Sequence, residues 1–180
     1  MYTAYLVGDR VVVLDDAAAK DIYSKGFFGH PLGTEKPKGP EDVKAPLALS
    51  PLEALYLLET GVIEIRDITT DKSYSPEELK EIWKFMEGLE EKYLVYKELR
   101  NKGFVVRSGL KYGSDFVVYE FGPGIDHAPY VVDVLEKGTS LDPSEIVKGG
   151  RVAHGVRKRY IMAIVENGSI NYVMLKWYLP

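Results

Sequence analysis

The sequence contains only three histidines and no cysteine, so each histidine can be weighed as a catalytic candidate. His127 ends a glycine-rich segment and comes shortly before a run of strand-forming residues at 130–135. Loops at strand ends often present catalytic groups. The position fits a catalytic histidine, and it fits an ordinary turn residue equally well. His30 lies among glycines and prolines, where a surface residue is expected.

A polar stripe is predicted on a helix over residues 142–157 and just beyond. Arg151, His154 and Lys158 follow i, i+3, i+7 spacing, which would place them on one helix face over two turns. The segment 148–159 carries five basic residues and no acidic residue. Such a face could receive a phosphate backbone. The alternative is the solvated face of an amphipathic helix.

Several other reaction classes lack their residues in this sequence. Without cysteine there is no thiolate nucleophile, disulfide or cysteine-type zinc site. No His-x-His or His-x-x-x-His pair occurs, Asp115 and Asp126 are not followed by the Glu-x-Lys pattern of magnesium-dependent nucleases, and no Gly-Lys-Ser/Thr phosphate loop is present. Tyrosine, histidine and lysine remain. These types suffice for cleavage of RNA by its own 2′-hydroxyl, which needs a base, an acid and a cation.

The first half of the chain reads as a small α/β domain. Strand-forming runs at 2–7 and 10–14 flank Gly8-Asp9, which predicts a hairpin. The sequence Ser50-Pro51-Leu52-Glu53 combines an N-cap, a first-turn proline and a capping-box glutamate, so a helix is predicted to begin there. Residues 26–46 contain four glycines and four prolines. They predict a long loop or insertion, whose role the sequence does not reveal.

A second capping box at Ser75-Pro76-Glu77-Glu78 opens one long helix predicted over residues 76–101, with Gly88 as its soft point. Beyond Gly103 the apolar spacing changes to that of strands, interrupted by the helix over 142–157. The predicted strands cover 104–107, 116–121, 130–135, 160–165 and 170–178. The fold class is therefore α/β (α+β). We predict an N-terminal structural and assembly domain over 1–85 and a C-terminal catalytic domain over 86–180.

Composition is typical of a soluble globular protein, with 46% apolar and 28% charged residues. The net charge of −4 has the wrong sign for simple electrostatic capture of nucleic acid. Residues 1–85 hold 15 acidic and 10 basic side chains, whereas 86–180 hold 12 and 13. No signal-like or membrane-spanning segment is visible, so a cytoplasmic protein without membrane attachment is expected.

Three blocks of the second half resemble the signature blocks of the archaeal tRNA-splicing endonucleases. They are GLKYGSDFVVY at 109–119, DHAPYVV at 126–132 and RVAHGVRK at 151–158. The segments 93–104 and 50–58 resemble further blocks, so the resemblance covers most of the chain from about residue 47.

The resemblance implies catalytic roles: Tyr119 as general base, His127 as general acid and Lys158 as stabiliser of the transition state, with no cofactor or metal. It implies a C-terminal domain of restriction-endonuclease-like type, a mixed sheet with helices packed on it. It also implies excision of introns from precursor tRNA at bulge-helix-bulge junctions, leaving 2′,3′-cyclic phosphate and 5′-hydroxyl ends. Because free tyrosine titrates at about 10, we expect a cation, Lys158 or another, to lower the pKa of Tyr119.

The resemblance further implies a four-subunit assembly. A clamp from the opposing subunit holds a bulged base: Arg151 matches its first side chain, and Trp177 stands where many relatives carry arginine. The expected partners are precursor tRNA and either identical chains in a homo-oligomer or a second endonuclease subunit in a heterotetramer. An acidic loop, here 136–145, would insert into a neighbour, with a plain capped turn as the alternative. The length of segment 26–46 favours the heterotetramer.

Two other functions stay open from the sequence. One is a non-catalytic structural subunit of the same complex, against which the presence of all three residue types argues. The other is a metal-dependent nuclease on a similar core, for which no ligand pattern is found.

Overall fold

The computed structural model describes residues 1–34 and 36–176. The chain divides into two compact units, Met1–Leu89 and Glu90–Pro180. The strands are β1 (Tyr2–Val7), β2 (Arg10–Val13), β3 (His30–Pro31), β4 (Leu47–Leu49), β5 (Ile63–Asp67), β6 (Val105–Ser108), β7 (Phe116–Tyr119), β8 (Tyr130–Glu136), β9 (Arg159–Glu166) and β10 (Ser169–Leu175). The α-helices are α1 (Asp16–Ser24), α2 (Pro51–Glu59), α3 (Pro76–Ile82), α4 (Leu89–Asn101) and α5 (Pro143–Gly155). Short 3₁₀ turns cover Pro40–Asp42 and Leu110–Tyr112.

The first unit contains a five-stranded mixed sheet in the order β3-β4-β2-β1-β5. The predicted hairpin of β1 and β2 is confirmed, with Gly8 at φ +64° in its turn. β5 pairs parallel to β1, after the chain has passed through α2. Alternate strand residues such as Val11, Val13, Ile63 and Ile65 are fully buried, as a sheet with one face on a core requires.

Both predicted capping boxes are confirmed. In α2 the Ser50 backbone N–H donates to Glu53 (2.9 Å), and the Glu53 N–H donates to the Ser50 hydroxyl (3.4 Å). The same reciprocal pair forms at the start of α3. The buried Glu53 carboxylate also accepts the Gly29 N–H at 2.9 Å. Segment 26–46, predicted as a long loop or an insertion, contains the short strand β3, which pairs with β4, and the 3₁₀ turn Pro40–Asp42.

The single long helix predicted over residues 76–101 is wrong. α3 ends at Ile82 and α4 begins at Leu89. Gly88 adopts φ +67°, a left-handed conformation that a continuing helix cannot contain. Trp83 caps α3 and is fully buried. Two short helices with buried faces thus produce the same apolar spacing as one long helix.

The second unit contains a five-stranded mixed sheet in the order β10-β9-β8-β7-β6. β8 and β9 are parallel and α5 forms the crossover between them, while the other neighbouring pairs are antiparallel. A Cβ atom added at Gly149 of α5 would lie 2.7 Å from the Tyr160 ring, so glycine permits the close approach of α5 to β9. Ala153 packs there with Val131, Tyr160 and Met162. The mixed α/β fold class is confirmed.

No helix within residues 1–34 and 36–176 has both the length and the apolar character needed to cross a bilayer.

Candidate active site

The topology of the second sheet brings three chain segments to one edge. Tyr119 is the last residue of β7, His127 comes shortly before β8 begins at Tyr130, and Lys158 directly precedes β9 at Arg159. β7 runs antiparallel to β8, and β8 runs parallel to β9, with Tyr130 opposite Arg159. The carboxyl end of β7 and the amino ends of β8 and β9 therefore meet at one border of the sheet, across the strand ends. We call this border the active-site edge, and all three predicted catalytic residues lie there.

Lys158 lies outside α5, so its predicted place on a helix face with Arg151 is wrong. The helix ends at Gly155, and Arg157 turns into the left-handed region at φ +56°. The Lys158 backbone N–H then donates to the Ala153 carbonyl at 2.6 Å. This hydrogen bond closes the helix end in the manner of a Schellman motif. The i, i+3, i+7 spacing of Arg151, His154 and Lys158 is the same whether or not the helix ends before Lys158. The spacing alone therefore could not show where the helix ends.

The Lys158 side chain points to the segment that follows His127. Its ammonium donates to the Ala128 carbonyl at 2.6 Å and lies 5.4 Å from the centroid of the Tyr112 ring. Burial lowers the pKa of Lys158, Asp126 acts in the opposite direction, and the positive charge of Lys111 lowers the pKa further. Lys158 is therefore a fixed, partly desolvated cation beside the predicted general acid.

Tyr119 is half-buried, and its pKa is raised above 10.0, chiefly by burial. The neighbouring Tyr112 and Asp126 raise the pKa as well, while Arg107 lowers it. The expectation that a cation would lower this pKa is wrong in its net direction, because the effect of Arg107 is smaller than that of burial. The cation that acts on the Tyr119 hydroxyl is Arg107 rather than Lys158.

Asp126 organises the loop that carries His127. Its carboxylate accepts backbone N–H groups from Glu120 (3.0 Å), Phe121 (3.3 Å) and Gly122 (2.6 Å). This side chain thus closes the chain between β7 and β8 into a compact turn. His127 follows directly and is exposed to solvent.

A groove of about 350 Å³ lies between α5 and the β9–β10 pair, beside Lys158. It is lined by Ile146, Val147, Gly150, Ala153, His154, Lys158, Arg159, Tyr160, Leu175 and Lys176. The lining combines apolar side chains with the basic residues Lys158, Arg159 and Lys176.

Of the two predicted clamp residues, only Arg151 lies within the described residues. Arg151 is exposed on α5, and among residues 1–34 and 36–176 no hydrogen bond or ion pair joins it to Tyr119, His127 or Lys158. Trp177 lies outside the described residues. In segment 136–145 the side chain of Asp142 caps α5 by accepting the Ser144 N–H at 2.7 Å, as the alternative of a plain capped turn predicts for this segment.

Four neighbours of the site carried no role in the sequence interpretation: Arg107, Lys111, Tyr112 and Asp126. Lys111 and Tyr112 stand in the first signature-like block, and Asp126 directly precedes His127. Only the pairing of β6 with β7, with Arg107 opposite Val117, brings Arg107 near Tyr119. Within the described chain, no group of three or more histidine and acidic side chains is gathered in a way that could hold a metal ion.

The family model described as "tRNA intron endonuclease, catalytic C-terminal domain" matches residues 89–172, and the one described as "tRNA intron endonuclease, N-terminal domain" matches residues 2–80. The chain is 46% identical to a tRNA-splicing endonuclease of Hyperthermus butylicus, over 100% of both chains. It is 43% and 45% identical to tRNA-splicing endonucleases of Saccharolobus solfataricus and Sulfolobus acidocaldarius, over 98% of each chain.

Proposed function

Because the chain belongs to the tRNA intron endonuclease family and is an endonuclease that excises introns from precursor tRNA, we propose a specific site and mechanism for it. It cleaves at bulge-helix-bulge junctions without a metal cofactor. Tyr119, His127 and Lys158 carry the reaction. The observation that supports this assignment is the meeting of the β7, β8 and β9 ends at the active-site edge. There the Lys158 ammonium donates a hydrogen bond to the carbonyl of Ala128, the residue after His127.

The reaction is an in-line transfer within the RNA. Tyr119 accepts the proton of the 2′-hydroxyl, and the 2′-oxygen forms a bond to the adjacent phosphorus. The bond from phosphorus to the 5′-oxygen breaks, and His127 supplies the proton which that oxygen takes up. Lys158 stabilises the added negative charge of the five-coordinate phosphorus. The products are a 2′,3′-cyclic phosphate and a 5′-hydroxyl.

The raised pKa of Tyr119 bears directly on the role of base. Few molecules hold the phenolate at neutral pH, but each phenolate is a stronger base than a free tyrosinate. The nearby Arg107 limits the rise in pKa.

We propose that the chain acts as a four-subunit assembly, in which Arg151 and Trp177 serve the active site of a neighbour. β10 forms one edge of the second sheet within the described residues, and its Tyr172, Val173 and Met174 are exposed. Such an edge can pair with another chain. The assembly is either four identical chains or a heterotetramer with a second endonuclease subunit. Segment 26–46 belongs to the first unit, which we propose to be a structural domain that contributes to this assembly.

His127→Ala tests the mechanism most directly. Its single-turnover cleavage rate should fall by about 10² or more with little change in RNA affinity, because a general acid acts in the transition state. His30→Ala, in the other unit, is the matched control and should cleave at the wild-type rate. Mass spectrometry of the wild-type products should find the cyclic phosphate, and cleavage should persist in EDTA at moderate salt.

Products ending in a 3′-hydroxyl and a 5′-phosphate would contradict the mechanism. So would activity that EDTA abolishes and magnesium alone restores. If His127→Ala cleaves within about threefold of wild type, the acid is another residue, and His154 in the groove beside Lys158 is the first to replace.

A further inference from the structure

Tyr112 occupies a rigid turn between β6 and β7. Its backbone N–H donates to the Gly109 carbonyl at 2.8 Å, and the Gly109 N–H donates to the Asp115 carbonyl at 3.0 Å. A Cβ atom at Gly109 would lie 2.7 Å from the Ser114 carbonyl oxygen, so the turn closes this tightly only around glycine. The Tyr112 ring packs against the buried cluster under α5 and is half-buried. The turn and this packing together fix the ring.

The ring lies between side chains of the proposed site. The Lys158 ammonium is 5.4 Å from the ring centroid, and the Lys111 ammonium is 5.9 Å from it. Both distances are within the range of cation–π attraction. Tyr112 is also close enough to Tyr119 to raise its pKa. One aromatic side chain thus adjoins the proposed base and the proposed cation.

The groups in direct contact with the Lys158 ammonium are neutral. They are the Ala128 carbonyl and the Tyr112 ring, and no carboxylate of residues 1–34 and 36–176 forms an ion pair with Lys158. A carboxylate would hold the ammonium in place but would cancel its charge towards a phosphate. A carbonyl and an aromatic face attract the ammonium without adding a negative charge. No ion pair therefore cancels the charge that Lys158 presents to the phosphorus centre, and the charge of Asp126 acts on it only from beyond ion-pair distance.

We propose that Tyr112 is a positioning residue, whose ring holds the Lys158 ammonium in its charged form and directs it at the scissile phosphate. The proposal rests on the function proposed above. It requires the face of the ring and not its hydroxyl. Burial disfavours the charged form of Lys158 and lowers its pKa. The ring face lies 5.4 Å from the ammonium, and the attraction between them favours the charged form.

A series of substitutions separates the ring face from the hydroxyl. Tyr112→Phe should keep the cleavage rate within about twofold, since the face remains. Tyr112→Leu should lower the single-turnover rate by a factor of about 2 to 30, the span that an exposed to partly buried cation–π contact provides. Phenylalanines with increasing numbers of ring fluorines at position 112 keep the shape while weakening the negative face, so the rate should decrease with each fluorine.

The pKa of Lys158, followed by NMR of isotopically labelled lysine, gives the readout that a purely structural role would not move. In Tyr112→Leu it should decrease by up to about one unit, and in Tyr112→Phe it should stay unchanged. The fluorinated series keeps the test valid if Tyr112→Leu folds poorly. RNA affinity should be nearly constant throughout.

Lys158→Ala distinguishes failure of this inference from failure of the proposed function. If Lys158→Ala cleaves at the wild-type rate, the role of Lys158 in the proposed mechanism is wrong. If Lys158→Ala is inactive but the fluorinated series shows no trend in rate or in the pKa of Lys158, only the role of Tyr112 is refuted.

Discussion

Asp126→Asn tests whether the loop between β7 and β8 must be ordered for cleavage. The carboxylate holds three backbone N–H groups with two oxygens, Oδ1 accepting from Phe121 and Gly122, and Oδ2 accepting from Glu120. Asparagine has a single acceptor oxygen. If that oxygen keeps the place of Oδ1, the amide nitrogen faces the Glu120 N–H, and two donors oppose each other.

The magnitude follows from one lost charge-assisted hydrogen bond. Such bonds contribute about 1.5 to 3 kcal/mol when buried, and the Glu120 bond is exposed, so about 1 to 2 kcal/mol applies here. At about 1.4 kcal/mol for each factor of ten, the ratio of ordered to disordered loop falls by a factor of about 5 to 30. The single-turnover rate should fall by up to this factor, because His127 follows directly from this loop.

Two measurements check the prediction. Hydrogen exchange at the amides of Glu120 and Gly122 should become faster, and cleavage of a bulged precursor-tRNA substrate should slow in proportion. The matched control is Asp67→Asn in the first unit, where the carboxylate accepts the Thr69 and Thr70 N–H groups at 2.8 and 2.7 Å. That variant should lose stability but cleave at the wild-type rate well below its unfolding temperature.

The charge of Asp126 leads to a second expected result, which concerns the pKa of Lys158 and does not depend on the order of the loop. Since Asp126 raises the pKa of Lys158, Asp126→Asn should lower that pKa. A variant with unchanged loop exchange and a cleavage rate within threefold of wild type would refute the role of Asp126. Faster exchange with an unchanged rate would show that loop order does not limit the positioning of His127.

Two further predictions concern charge and stability in the second unit. Lys111→Met should raise the pKa of Lys158, because the charge of Lys111 lowers it, and labelled-lysine NMR that finds the same or a lower pKa would contradict this assignment. Tyr160→Phe removes a 2.7 Å hydrogen bond from the buried Tyr160 hydroxyl to Asp133, so the free energy of unfolding in urea should decrease by about 1.5 to 3 kcal/mol at neutral pH. No change in the urea midpoint would show that water replaces this bond.

Local signals predicted the helix starts well. Ser50, Ser75 and Asp142 each cap the helix expected from the serine or aspartate followed by proline, because these interactions involve residues close in sequence. The hairpin at Gly8 was predictable for the same reason. The resemblance to a known family supplied Tyr119, whose choice among 13 tyrosines no local rule could make.

The remaining features have no mark in the local sequence. The end of α5 before Lys158 depends on the left-handed Arg157, a conformation that non-glycine residues seldom adopt and that a sequence pattern therefore does not indicate. The place of Arg107 beside Tyr119 follows from strand register, which is set by pairing across the sheet. The raised pKa of Tyr119 reflects burial in the folded unit.

The parallel pairing of β8 with β9 also determines when a cleavage site can arise during synthesis. Parallel strands cannot be joined by a tight turn, so β9 reaches β8 only after the whole crossover through α5 has been made. The Arg159 N–H then donates to the Pro129 carbonyl at 2.8 Å and places Lys158 beside the loop of His127. Domains fold as units while a ribosome adds about 5 to 20 residues each second. A growing chain therefore carries a folded first unit for some seconds before it has any assembled site with which to cut RNA.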